Sequence, residues 1–249
     1  MKKYHINYAA VGSNCNENNP NPGYFNAQIL NSETALSVAG FDQTVKYNLD
    51  KLPVEFKEKH KDYFNFKRGA GYWIWKPWII LDMLSKIRDG DVLMYSGSGC
   101  HFISSMDPIF KKLDASDKGV IVFNLVHKEY VWTKRDCFVI MDCDSDSYWN
   151  SNQIMSTFLL CKKSEFSVKL VEDWYKYMSD PRCVWDMEFL PNEMGKNNLD
   201  GFIEHRHDQS VLSLLCKKNG ITPLEDLTEW GRPELRDYPQ IVEHTRKND

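Results

Sequence analysis

Arg68-Gly69-Ala70-Gly71-Tyr72-Trp73-Ile74-Trp75-Lys76-Pro77 opens a stretch that runs through Asp89-Gly90-Asp91 into Val92-Leu93-Met94-Tyr95-Ser96-Gly97-Ser98-Gly99, and its reading decides the fold class. The glycines break whatever precedes them, and Pro77 sits where a helix accepts proline, in its first turn. Ile79, Ile80, Met83, Leu84 and Ile87 then recur at helical spacing on one face. Asp89-Gly90-Asp91 stops that helix. Four apolar residues in a row, bounded by turn signals, predict a strand buried on both faces that ends in a loop of small residues.

Working outward, the same alternation recurs. Tyr4 to Val11 reads as a strand, the polar run from Gly12 to Gly23 as a loop, residues 26–39 as a helix stopped by Gly40, and Gln43 to Tyr47 as a second strand. Glu55 to Phe66 is expected to be a charged helix with Phe56, Tyr63 and Phe64 facing inward. Beyond the central stretch come a helix at Asp107–Leu113, strands at Val120–Leu125 and Thr157–Cys161, and a helix at Glu165–Met178 with Ser164 as N-cap. Leu170, Val171, Trp174 and Met178 share one face of that helix. The last helix spans Asp208–Lys218 and ends at Asn219-Gly220. Strands alternating with helices predict an α/β fold with a largely parallel central sheet, whose ligands sit at the carboxyl ends of strands. The loops after Val11 and Tyr95 are therefore candidate ligand loops. The tail from Thr228 to Asp249 is polar and is expected to wrap the surface or fray.

The chain has 249 residues, 42% of them hydrophobic, which suits one large domain with a sizeable core and excludes a disordered chain. Its net charge of -4 argues against broad nucleic-acid binding through counterion release. Seven cysteines lie scattered without a C-x-x-C pair, so a disulfide framework is not expected and a reducing compartment fits. The first residues lack an apolar signal region, and no stretch is long and apolar enough to be a transmembrane segment, so a cytoplasmic location is expected. Aromatic residues make up 13%, a surplus that serves either cores or sites that stack flat ligands.

Three constellations carry candidate chemistry. In the first, Arg68, Trp73, Trp75 and Lys76 combine two cations and two indoles before a helix N-terminus, which suits a phosphate and a base or sugar face. The alternative is a hydrophobic start to a core helix with snorkelling cations. In the second, Glu204-His205-Arg206-His207-Asp208-Gln209-Ser210, Asp208 precedes Val211, Leu212 and Leu215 at helical spacing and so faces inward. It is a candidate general base or, with His205 and His207, a metal or metallohydrolase ligand; the alternative is an ordinary helix-start aspartate beside surface histidines. In the third, Asp142-Cys143-Asp144-Ser145-Asp146 lacks the glycine and glutamate of a calcium loop and reads as a solvated acidic turn.

Taken together, the strings Gly71-Tyr72-Trp73-Ile74-Trp75-Lys76-Pro77 and His205-Arg206-His207-Asp208-Gln209-Ser210-Val211 resemble a family of small nucleotide-sugar glycosyltransferases of bacterial polysaccharide gene clusters and large DNA viruses. Ala39-Gly40-Phe41-Asp42, Gly90 to Tyr95, Gly99-Cys100 and Gln153-Ile154 follow the family's order. The resemblance implies a GT-A fold, Rossmann-like, with a mixed, mostly parallel central sheet. It further implies one domain over 1–249, with a core at about 4–220 and a C-terminal extension at 221–249.

The implied activity is transfer of a sugar from a nucleoside-diphosphate sugar to a hydroxyl of a glycan acceptor, with neither nucleic acid nor membrane span involved and the oligomeric state open. The implied donor residues are Arg68, Trp73, Trp75, Lys76, Tyr95, Gly97, Ser98, His205, His207 and Gln209. Asp208 is the implied catalytic base of a direct, inverting displacement. One departure from the family's pattern concerns its divalent cation, Mn²⁺ or Mg²⁺. Where relatives tend to read Tyr-x-Asp-x-Gly-Cys, this chain reads Tyr95-Ser96-Gly97-Ser98-Gly99-Cys100. Either another acid such as Asp144 or Asp146 holds the metal, or cations replace it, or the protein is a non-catalytic nucleotide- or sugar-binding module; metal-independent or weakly metal-dependent catalysis is the expectation.

Overall fold

The computed structural model describes residues 1–9 and 22–245. Nine strands form: β1 (Lys3–Tyr8), β2 (Gln43–Tyr47), β3 (Val92–Ser96), β4 (Cys100–Phe102), β5 (Val120–Ile121), β6 (Asn124–Lys128), β7 (Asn152–Ile154), β8 (Phe158–Lys162) and β9 (Val242–His244). The longer helices are α1 (Pro22–Ser37), α2 (Trp75–Lys86), α3 (Asp107–Asp114), α4 (Glu165–Met178) and α5 (His207–Lys218). The central sheet has five strands in the order β2-β1-β3-β8-β5. β1 pairs in parallel with β2 and β3, whereas β8 runs antiparallel to β3 and to β5. The sheet is thus mixed, with a parallel centre.

Alternate residues of a strand point to opposite faces, and the two cores follow that rule. Leu93 and Tyr95 of β3, with Leu159 and Cys161 of β8, join the core built by Ile79 and Ile80 of α2, Leu170 and Trp174 of α4 and Leu212 of α5. Val92, Met94, Phe158 and Leu160 face the other core, with Ala35 of α1, Ile109 and Phe110 of α3, and Val242 of β9. The sheet therefore lies between two helical layers. In β1 the second face is polar. His5 bonds Ser96 Oγ at 2.8 Å and Thr44 Oγ1 at 3.0 Å, and Asn7 donates to Asn31 Oδ1 at 2.6 Å and Ser32 Oγ at 2.9 Å, fastening α1 to the sheet.

α4 carries the expected cap: Ser164 Oγ accepts from Ser167 N–H and Ser167 Oγ accepts from Ser164 N–H. Three expectations change. The helix foreseen at Glu55–Phe66 is a short helix at Val54–Lys59 followed by a 3₁₀ turn at Tyr63–Asn65. Its break lets His60 reach the Tyr175 hydroxyl at 2.7 Å and Tyr63 donate to Met178 O at 2.8 Å, so contacts with α4 override a weak local propensity. The strand foreseen at Val120–Leu125 splits, because β5 pairs with β8 while β6 leaves the main sheet to pair with β7. The tail does not simply trail: β9 pairs antiparallel with β4, and Ile241 and Val242 are fully buried. The first strand ends at Tyr8 within the described residues; Val11 and most of the foreseen 12–23 loop lie outside them, and α1 begins at Pro22.

Candidate active-site cleft

Gly69 to Trp73 all have positive φ: 59°, 48°, 94°, 51° and 58° in order. The chain therefore makes a left-handed turn, which costs about 1–2 kcal/mol for each non-glycine residue and persists only where surrounding packing dictates it. Here the packing is aromatic. Trp75 donates its indole N–H to Gly69 O at 2.9 Å and stacks on Tyr8 with ring centroids 3.7 Å apart, while Tyr72 stacks on His207 at 4.5 Å. The turn delivers Trp73 to a surface and Lys76 to the N-terminus of α2.

α5 arrives opposite. Its N-terminus places Asp208 in the first turn, where the helix macrodipole favours a carboxylate. Lys76 Nζ bonds Asp208 Oδ2, and both side chains are 5% exposed. The ammonium also donates to Ser156 O at 3.2 Å and Ser156 Oγ at 3.1 Å, and it lies 5.3 Å from the Tyr95 ring centroid and 5.9 Å from that of Trp73. Burial pushes the Lys76 ammonium below the usual lysine range, against the pull of Asp208. No bond among the described residues takes Asp208 Oδ1.

The cleft around this pair has a volume of about 190 Å³. Arg68, Trp73 and Lys76 line it from the first stretch, and Arg206, His207, Asp208 and Gln209 from the second, with Ser156 and Thr157 between. Arg68 pairs with Glu204 at 3.3 Å and Asp186 at 3.8 Å; Arg206 pairs with Glu204 at 2.9 Å and lies 4.2 Å over the Trp132 ring. These pairs are part-exposed and weak, about 0–1 kcal/mol each, so a phosphate can take over either guanidinium. His207 donates Nδ1–H to Val184 O at 2.7 Å, and its Nε2, buried without a hydrogen bond, lies 3.6 Å from Asp186 Oδ1. Burial holds the ring well toward its neutral form.

The remaining expected residues sit differently. His205 is buried beneath the cleft, accepting Lys134 N–H at Nδ1 (3.1 Å) and facing Cys183 O with Nε2 (2.7 Å), so both ring nitrogens are committed to backbone. A metallohydrolase run through His205 and His207 has no free nitrogen on His205. Tyr95 forms the floor under Lys76, and burial raises its phenol far above the ordinary range. Ser98 donates to Tyr8 O at 2.9 Å, and Gly97 N–H donates to Thr157 O at 2.9 Å. Trp75 belongs to the core. Sequence reasoning passed over Ser156, Thr157 and Arg206; Ser156 contacts Lys76 from 80 residues away, beyond the reach of any spacing rule, and Thr157 lines the same cleft.

The donor set among the described residues does not fit a divalent cation. They give the cleft one carboxylate, already paired with an ammonium, among three cations. A side chain at Gly97 would meet Thr157 Cγ2 at 3.0 Å. Asp144 is held by Arg135 at 2.8 Å and Lys196 at 2.6 Å. Among the described residues, no group of three His, Cys, Asp or Glu side chains stands together as a metal cage.

No protein-family model matches the chain, and no curated protein matches it. Solved structures do. Mouse xyloside xylosyltransferase 1 in its apo form superposes with a TM-score of 0.50 at 11% identity, over 98% of this chain and 97% of that one. The chain has a glycosyltransferase fold. A glycosyltransferase involved in glycosylation of the major capsid of PBCV-1 is also similar, with a TM-score of 0.46 at 11% identity over 99% and 96% of the two chains. Within this GT-A-like fold the cleft lies beside the carboxyl end of β3, the strand that runs into Ser96 and Gly97. No helix among the described residues is long and apolar enough to cross a membrane.

Proposed function

We propose that the cleft binds a nucleoside-diphosphate sugar and transfers its sugar to an acceptor hydroxyl with inversion. The observation that carries this reading is the meeting of Lys76 and Asp208 inside a cleft flanked by Arg68 and Arg206. Glycosyl transfer needs positive groups for the departing diphosphate and a base for the acceptor proton, and the cleft holds both kinds side by side. Arg68 and Arg206 exchange Glu204 for phosphate oxygens. Lys76 then shares its charge between Asp208 and the diphosphate, and the Asp208 carboxylate takes the acceptor proton. Every step uses the chain's own residues, and none is routed through a metal.

A second cavity of about 300 Å³, lined by Tyr8, Phe64 and Phe66 with Lys57, Lys61 and Lys67 around it, supports the nucleotide half of the reading. Lys67 and Ala70 line it, on either side of Arg68 in the chain, so it adjoins the diphosphate cations. Flat aromatic walls with cations suit a nucleobase and its phosphates. Tyr8 Oη is buried there without a hydrogen bond.

The test is release of nucleoside diphosphate from a panel of nucleotide sugars, with EDTA present. We expect one donor to turn over undiminished by EDTA. Asp208→Asn should slow it about 10²–10⁴-fold while still binding the diphosphate. Strong inhibition by EDTA, or full activity in Asp208→Asn, would overturn the assignment.

A further inference from the structure

A third cavity, of about 380 Å³, lies beside the cleft and is walled on one side by the C-terminal tail. Thr157 and Gln209 line both spaces, so the two adjoin, and Gln209 follows Asp208 directly in α5. β6 supplies one wall through Asn124 and His127. The tail supplies the other through Asp226, Thr228 and Trp230, and Met155 and Phe158 form an apolar floor. Trp230 is 68% exposed, the most exposed large aromatic side chain among the described residues. An indole left in water at the mouth of a cavity offers a flat apolar face to a ligand.

The charge of this cavity differs from that of the cleft. Among the described residues its lining contains no lysine or arginine, and its two acids are Glu225 and Asp226. Arg232 holds Glu225 at 2.7 Å, and Thr228 donates to Asp226 through its N–H at 2.9 Å and its hydroxyl at 3.0 Å. An anionic ligand would meet no lysine or arginine among the described lining residues, whereas a neutral polyhydroxyl ligand finds an apolar ring face and several acceptors. Burial raises the Asp226 carboxyl above the usual range, with the Thr228 bonds opposing.

We propose that this cavity is the acceptor subsite, taking a neutral pyranose stacked on Trp230 and presenting one of its hydroxyls past Thr157 and Gln209 to Asp208. The assignment rests on the transferase reading above for the identity of the reaction. In that reaction the acceptor oxygen forms a bond to the anomeric carbon, and the bond from that carbon to the diphosphate oxygen breaks. The diphosphate leaves with the electron pair, and the hydroxyl proton passes to the Asp208 carboxylate. The subsite also assigns a role to the tail, whose strand β9 holds His244 at the cavity wall.

The experiment is ligand-observed NMR on the full chain with methyl glycosides of glucose, galactose, mannose, xylose and N-acetylglucosamine, and with methyl glucuronide as the anionic probe. At least one neutral glycoside should bind, and the glucuronide should bind more weakly. Trp230→Ala should weaken the neutral glycoside about ten-fold, the loss of one stacking contact, while nucleoside diphosphate still binds. Because Trp230 is exposed, that variant should keep its wild-type melting temperature. Should no neutral glycoside bind, or the glucuronide bind equally, or Trp230→Ala bind as the wild type does, the subsite is refuted. Glycoside binding without any diphosphate binding would support the subsite and refute the transferase reading, so the two fail separately.

Discussion

Lys76 and Asp208 each depend on the other. A buried ion pair adds little net stability, but removing one partner strands a charge at a cost of about 3–5 kcal/mol. Lys76→Met should therefore lower the denaturation midpoint sharply, and the double variant Lys76→Met, Asp208→Leu should recover most of the loss while remaining inactive in donor turnover. Recovery of stability without activity would separate the structural role of the pair from its chemical one. His5 gives a second residue-scale prediction. Burial lowers its value from 6.5 to about 3, so between those limits the unfolded chain holds a proton that the native chain refuses. Stability then falls as pH falls from about 6.5 toward 3, by up to about 1.4 kcal/mol per pH unit. His205 and His207 shift in the same direction. Urea titrations across this range should show the fall, and His5→Gln should flatten it by one proton's share.

At the scale of elements, the left-handed turn at Gly69–Trp73 does most to shape the site. Gly71 has φ +94°, and a Cβ there would press on Tyr63 O at 3.2 Å. Gly71→Ala should cost about 1–3 kcal/mol and, by displacing Trp73 and Lys76, reduce donor turnover as well; a denaturation midpoint and a turnover rate on one sample measure both. Ser164→Ala, which removes the cap of α4, should cost about 0.5–2 kcal/mol with turnover unchanged. The sequence announced the break through its glycines, and α2, β3, α4 and α5 through apolar spacing and caps. It did not announce that Ala70, Tyr72 and Trp73 share the positive φ, because that geometry is imposed by stacking on Tyr8 and His207. The split of the 120–125 strand was hidden for a similar reason: partners on β7 and β8, not local propensity, decide where each half pairs.

Over the whole molecule, the sheet brings together two stretches 132 residues apart, and this convergence joins Lys76 to Asp208. The sequence named both stretches, since the first set two cations among indoles and the second an inward aspartate among histidines, each beside a helix start. It left Trp75 among the ligand-facing residues although stacking on Tyr8 places it in the core, and it left the tail without a role although β9 ties it to β4 and Trp230 faces a cavity. Both follow from long-range packing that single-sequence periodicity does not encode. The central claim is that this convergence makes a diphosphate site, and calorimetric titration of nucleoside diphosphates into the wild type and into Arg68→Met, Arg206→Met tests it most directly. One nucleoside diphosphate should bind the wild type with a salt-dependent affinity that falls about ten-fold or more in the double variant, the loss of two charge-assisted contacts. Equal binding by both proteins, or no binding by the wild type, would contradict the account.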